Sequence, residues 1–342
     1  DDSIPQAGAV YLFSREGNQW NQQAYIKASN TGTLSQGQEF ADGDQFGSAL
    51  TLSDDGNTLA VSAVTEDSNT SGVNGDQSDN SAQSVGAVYV FNRDGSTWSQ
   101  NAYLKPSNPD GGDLFGYAVS LTADGRRLAI GSFDEDGSLA GTNEQQDDET
   151  RGSGSVYVFD YSDDTWQQTA YLKASNTERN DAMGVAIAIS DDGNTLVATA
   201  LDEDSMSTGV TDGMSIAPEL DWESDISTGA VYVWVYHDDT WTQQAYIKAS
   251  NTGGNDLFGS RLALSGDGNT LALGAQFEDS VAQGLDGVQN DDSASEAGVV
   301  YLFSRTGNSW SQINYIKGSN TEEFDEFGSS MGLNRDGSLL AI

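Results

Sequence analysis

The chain has 342 residues, with 14 Lys and Arg against 53 Asp and Glu, a formal net charge of −39 and no cysteine. Such an acidic excess argues against a nucleic-acid or anionic-membrane partner, which would need clustered cations, and the lack of cysteine excludes disulfides, thiolate metal sites and a cysteine nucleophile. No stretch approaches the roughly 18 apolar residues of a membrane span, so no membrane insertion is expected.

Taken in order, the chain opens with an apolar run at Gly8-Ala-Val-Tyr-Leu-Phe13 and a second at Trp20 to Lys27, two strand-like segments rich in β-branched and aromatic residues. A longer unit follows. Phe46-Gly47 begins a strand, Ser53-Asp-Asp-Gly-Asn57 marks a hairpin turn, and Thr58 to Ala63 forms the return strand. After the polar loop 64–85 come Gly86-Ala-Val-Tyr-Val-Phe91, a short turn at Arg93-Asp-Gly-Ser-Thr97 and a fourth strand from Trp98 to Lys105. The pattern then repeats. Tryptophan recurs at 20, 98, 166, 241 and 310, Phe-Gly at 46, 115, 258 and 327 with Met183-Gly184 in the remaining copy, and Asp-Gly at 55, 124, 192, 267 and 336. Five copies of a unit of about 70 residues are therefore present.

The ends are out of phase with the repeat: the chain starts on a third strand and stops after a second, at Ser338-Leu-Leu-Ala-Ile342. Two half-units joined into one sheet would close a ring and leave no open edge. The expected fold is an all-β, five-bladed β-propeller in a single domain, 1–342, with four antiparallel strands per blade. The blades lie near 46–108, 115–176, 183–251 and 258–320, with 327–342 and 8–30 combining in the last. Asp1 is not a natural start, and the chain is expected to be a mature or excised piece. Both short turns of a blade fall on one face; the long connections, such as 64–85 and 201–228, fall on the other, and loops of that length are usually functional.

The Asp-x-Phe-Gly step, the strand pair after it and Gly86-Ala-Val-Tyr-Val-Phe91 resemble the FG-GAP repeats of integrin α-chain-type β-propellers, especially the version found in exported bacterial proteins. The resemblance covers essentially the whole chain. It implies a non-enzymatic binding or adhesion module, extracellular or at the cell surface, often with bound calcium. In the family the calcium loop joins strands one and two as an Asp-x-Asp-x-Asp-Gly-like cage. Here that connection is cut to Ser53-Asp-Asp-Gly-Asn57, Thr122-Ala-Asp-Gly-Arg126 or Ser265-Gly-Asp-Gly-Asn269, too few oxygens for the six to eight that calcium takes.

Two acidic features recur on the long-loop face instead. One is the Asp two residues before Phe-Gly: Asp44, Asp113, Asp181, Asp256 and Asp325. The other is the Glu-Asp pair leaving strand two: Glu66-Asp67, Glu135-Asp136, Glu203-Asp204 and Glu278-Asp279. Antiparallel pairing brings these together, about three carboxylates per blade, which points to Ca²⁺ or, alternatively, to aspartates that cap their own turns. A second candidate set lies in the aligned loops Gly72 to Ala82 and Gly284 to Ala294, where Asn74/Asp286, Asp79/Asp291 and Asn80/Asp292 are hard oxygen donors or, equally, residues of solvated turns. The longest insert groups Met206, Met214, Ile216 and Trp222 with Glu219, Asp221 and Glu223, a pattern that suits a ligand patch for protein or glycan or a small satellite core. The five motif tryptophans, Tyr89, Phe91 and their copies, and Trp234 read as packing residues. Lys27, Lys105, Lys173, Lys248 and Lys317 read as structural partners on the outer strand. His237 is the only histidine and sits at a strand-three turn, so no Ser-His-Asp triad or His-based metal site is expected. Three alternatives stay open beside a protein-binding module: a lectin, a glycoside hydrolase using two of the many carboxylates, and a structural spacer.

Overall fold

The computed structural model describes residues 4–32, 43–143, 147–211 and 226–342. It is all-β, with no helix among the described residues, and it divides into two compact units. The first comprises Asp1–Glu135 with Tyr157–Thr169, the second Asp136–Val156 with Ala170–Ile342.

In the first unit, β1 (Val10–Glu16) and β2 (Gln19–Ile26) form a two-stranded sheet. Next, β3 (Phe46–Leu52), β4 (Thr58–Ala63), β5 (Ala87–Asp94) and β6 (Thr97–Leu104) form an antiparallel meander in that order. β7 (Ala118–Leu121) pairs with β8 (Arg127–Ser132). The division between the units passes through a repeat that also holds β9 (Gly141–Thr142), β10 (Ser155–Ser162) and β11 (Thr165–Lys173). In the second unit the end of β11 pairs with β9, Leu172 opposite Thr142. β12 (Met183–Ile189), β13 (Thr195–Ala200), β14 (Val210–Thr211), β15 (Ala230–His237) and β16 (Thr240–Ile247) make a five-stranded sheet in the order β12-β13-β15-β16-β14. β17 (Arg261–Leu264), β18 (Thr270–Ala275), β19 (Val299–Thr306) and β20 (Ser309–Ile316) repeat the four-stranded meander, and β21 (Gly332–Leu333) pairs with β22 (Leu340–Ala341).

The third strand of each repeat is the core. Ala87 to Phe91 and Ala230 to Trp234 are buried without interruption, as expected of strands covered on both faces. Phe46 meets Tyr89 edge-on with ring centroids 5.5 Å apart, and Phe258 meets Tyr301 in the same way at 5.2 Å. In the one repeat where Met183 replaces the Phe of strand one, Trp234 replaces the Phe of strand three. Both are fully buried, so the volume lost at one position is restored at the other. Consecutive repeats are joined at a glycine: Gly229, at φ +79°, would place a Cβ 2.1 Å from the carbonyl oxygen of Phe258.

The closing sheet expected from the two ends is not formed. β1-β2 and β21-β22 are separate two-stranded sheets. Without an inner hairpin over β1, Tyr11 is 57% exposed, whereas its counterpart Tyr89 is fully buried. Phe13 and Trp20 are exposed for the same reason, so the packing role expected of all five motif tryptophans and of every copy of Tyr89 and Phe91 fails in this first half-repeat. The remaining tryptophans do pack, and three donate Nε1–H to the preceding repeat: Trp98 to Gln23, Trp166 to Asn101 and Trp310 to Gln244.

Candidate functional site

The repeated Glu of the Glu-Asp pair lies at the centre of a buried network. Glu66 Oε2 accepts from Lys105 Nζ at 2.7 Å, and its Oε1 accepts from Tyr103 Oη at 2.7 Å and Asn30 Nδ2 at 3.0 Å. Asn30 Oδ1 in turn accepts from Tyr89. The second unit builds the same arrangement twice. Glu203 accepts from Lys248, Tyr246 and Asn176, and Glu278 from Lys317 at 2.8 Å, Tyr315 at 2.6 Å and Asn251 at 2.9 Å. Glu135 has the Asn108 amide at 3.1 Å. The structural role expected of the repeated lysines is the one Lys105, Lys248 and Lys317 play, with no more than 3% exposure each. Burial pushes the Lys105 ammonium below its ordinary value while the Glu66 carboxylate opposes that shift. An ammonium thus already opposes the charge of Glu66, Glu203 and Glu278. Lys-x-Ser-Asn, which recurs from Lys27, Lys105, Lys173, Lys248 and Lys317, was the available signal: Lys105, Lys248 and Lys317 bind the Glu of their own repeat, and Asn30, Asn108, Asn176 and Asn251 bind that of the next.

The aspartates before Phe-Gly do lie beside these glutamates. Burial raises Asp44 to about 7, with Glu66 and Asp67 adding to the shift; Asp181 rises to about 8 and Asp256 to about 7 through burial and their own Glu-Asp neighbours. Each also closes its turn, Asp181 Oδ2 accepting from Glu178 N at 2.7 Å, Asp256 from Gly253 at 3.1 Å, Asp113 from Asp110 at 3.3 Å and the exposed Asp325 from Glu322 at 2.8 Å. Asp67 and Asp279 accept from Ser84 N and Glu296 N, both at 2.8 Å, and Asp136 accepts from Gly152 N at 2.7 Å. Asp204 stands next to Glu203 and opposes its ionisation, as it does that of Asp181. Asp44 Oδ2 is buried with no hydrogen-bond partner. Among the described residues, no group of three or more His, Asp or Glu side chains converges on a metal position.

The long inserts are latched to strand four. Asn74 Oδ1 accepts from Tyr103 N at 2.9 Å, and Asp286 Oδ1 accepts from Tyr315 N at 2.9 Å, both from a left-handed backbone. β9 and β14 add a fifth strand at the same edge, an element the sequence reading missed although a Gly opens or precedes each latch at 72, 141, 209 and 284. Asp79 Oδ2 accepts from Asn69 N at 2.9 Å across the insert, and Asp291 Oδ1 accepts from Ser293 N at 3.1 Å within its turn; Asp292 adds its charge near Asp256, and Asn80 donates weakly to Ser78 O at 3.4 Å. Met214, Ile216, Glu219, Asp221, Trp222 and Glu223 lie outside the described residues, while Met206 is exposed.

The short-turn face, not singled out by the sequence, carries clefts between consecutive repeats. In the first unit Thr58, Asn92, Gly125, Arg126, Tyr161 and Trp166 line a space of about 190 Å³. In the second unit the corresponding space is about 650 Å³. There Arg305 lies over the Trp310 ring at 5.3 Å and donates to Asn269 Oδ1, Gln244 Oε1 and Thr195 Oγ1.

Comparison with known proteins bears on the fold. The family model described as FG-GAP repeat matches residues 98–159 and 241–303. No curated protein matches the chain. Among solved structures, the chain is similar to a protein described as a candidate 6-phosphogluconolactonase from Bacteroides uniformis, at 10% identity and a TM-score of 0.50, covering 92% of this chain and 66% of that one. It is also similar to the periplasmic gluconolactonase of Pseudomonas aeruginosa, at 16% identity and 0.46, covering 90% and 63%. A third similarity is to Chaetomium thermophilum Sqt1, solved bound to the N-terminus of ribosomal protein L10, at 15% identity and 0.45, covering 93% and 58%. The chain spans less than two thirds of each of these structures, and the first likeness is one of propeller-like fold.

Proposed function

Because this chain is an FG-GAP repeat protein, we propose that it serves as a non-enzymatic binding module at the cell surface or outside the cell, engaging a protein partner through its long-loop face. The observation that carries this reading is the exposure of apolar side chains on latched inserts: Leu285 and Val288 are 66% and 71% exposed, and Leu139, Met206 and Val281 join them in the same class of connection. A rigid strand edge thus presents apolar groups in an otherwise acidic loop, the composition of a contact patch with a polar rim. Five propeller blades form part of the same proposal and are supported by the repeat count. Protein-coated beads tested for adhesion to immobilised surface proteins and glycans should retain binding with wild-type protein and lose it with Leu285→Ser/Val288→Ser. Equal adhesion by that variant rules the loop face out. Release of sugar from a polysaccharide by the purified chain would favour the hydrolase alternative.

Calcium enters the proposal at one place. Asp44 Oδ2 is buried without a hydrogen-bond partner beside Asp67 and Glu66, so a bound cation would favour its ionised form, whereas the glutamate networks have their cation already. Calorimetric titration of chelated protein should give heat with Ca²⁺ that Asp44→Asn abolishes; no heat from wild-type protein removes calcium from the reading.

A further inference from the structure

The two clefts of the short-turn face occupy the same position in the repeat, yet one is more than three times the size of the other. Asn269 stands where the first has Arg126, Val235 where it has Asn92, and Arg305 where it has Tyr161. The larger volume is not demanded by the repeating scaffold, since the smaller cleft shows that a pair of neighbouring repeats packs without it. Its volume of about 650 Å³ falls within the range of small-molecule sites.

The lining decides the ligand chemistry. Asn194, Gln244, Asn269 and Asn308 are amides, which both donate and accept, and the walls hold one aliphatic side chain, Val235. Against the upward push of partial burial, hydrogen bonds from Ser190 and Asn194 hold Asp192 below the usual carboxylate range, so it stays an ionised acceptor. Arg305 is the opposing donor: three neutral acceptors and the Trp310 face fix its guanidinium, and two of its five N–H groups remain. Tyr236, tilted against Trp241 with ring centroids 5.2 Å apart, and the exposed His237 add two flat rings to the lining. One anion and one cation balance in the lining, and the chain's charge of −39 repels anionic ligands, while the fixed guanidinium opposes cationic ones.

We propose that the cleft between the repeats at 183–251 and 258–320 binds a neutral carbohydrate, its hydroxyls exchanging hydrogen bonds with Asp192, Asn194, Asn308 and Arg305 and a ring face lying on Tyr236. The site is separate from the long-loop face and does not depend on it. Saturation-transfer NMR and calorimetry on the full chain, with glucose, galactose, mannose, N-acetylglucosamine and their disaccharides, are the test, with glucuronate and spermidine as charged probes. At least one neutral sugar is expected to bind in the millimolar range or tighter. Asn194→Ala/Asn308→Ala, two exposed positions whose loss spares the core, should weaken it about tenfold or more, the equivalent of one or two lost hydrogen bonds. Leu285→Ser/Val288→Ser should leave it unchanged. Absence of binding by every neutral sugar, preference for glucuronate or spermidine, or equal affinity in the double variant with an unchanged melting temperature overturns the proposal.

Discussion

Lys105 and Glu66 meet with neither side chain exposed, and Tyr103, Asn30 and the Ser68 amide complete the carboxylate's acceptor capacity. Removing only the lysine strands a buried carboxylate, a change that typically costs about 3–5 kcal/mol, whereas replacing both partners by apolar groups costs far less. Lys105→Met should therefore lower the denaturant midpoint sharply, and Lys105→Met/Glu66→Leu should recover most of the loss. The neighbouring aspartates set a pH dependence. Asp44, Asp181 and Asp256 have folded values of about 7 to 8, above the roughly 3.9 of an unfolded aspartate, so the folded chain binds more protons in that window. Their contribution is full below about pH 4 and is lost as pH rises through 7 to 8. Melting temperature should thus fall between pH 5 and pH 8.5 in chelator, and Asp181→Asn, which keeps the shape without the charge, should flatten the slope.

At the scale of the strand, glycine placement separates tight joints from loose turns. Gly229→Ala forces a Cβ against the Phe258 carbonyl from a left-handed backbone, whereas Gly17→Ala, also left-handed, meets nothing within 4 Å. Both substitutions carry a backbone penalty of about 1 kcal/mol, and only the first adds a steric one. Chemical denaturation should show Gly229→Ala as clearly the more damaging. The latches make a second contrast. Asn74→Ala removes the acceptor for Tyr103 N and a side chain suited to the left-handed region, so hydrogen exchange over residues 66–85 should quicken while β4 and β5 stay protected.

For the whole molecule, a charge of −39 over 342 residues means self-repulsion of the compact state. Raising ionic strength from about 0.01 M to 1 M shortens the screening length from roughly 30 Å to 3 Å. The melting temperature should rise steeply over that range, whereas the buried Lys-Glu pairs, screened little, should not be the source of the change. A flat response to NaCl would mean that the acidic loops are compensated within the fold.

Strand positions and the four-strand meander were legible in the sequence because aromatic, Phe-Gly and Asp-Gly landmarks recur at fixed order, and each reports a local requirement: a central buried strand, a joint, a hairpin turn. The acidic groups were correctly brought together by antiparallel pairing. What the sequence did not reveal is their partner: Lys105 lies 39 positions from Glu66, and Asn30 lies 36 positions before it, in the preceding repeat. Tertiary structure likewise decided that Tyr11 and Trp20 stay exposed, and that the short-turn face opens a cleft at Arg305. The reason is physical. A strand's hydrophobic period is written in its own residues, but burial, charge compensation and cavity volume depend on what a neighbouring repeat places against it.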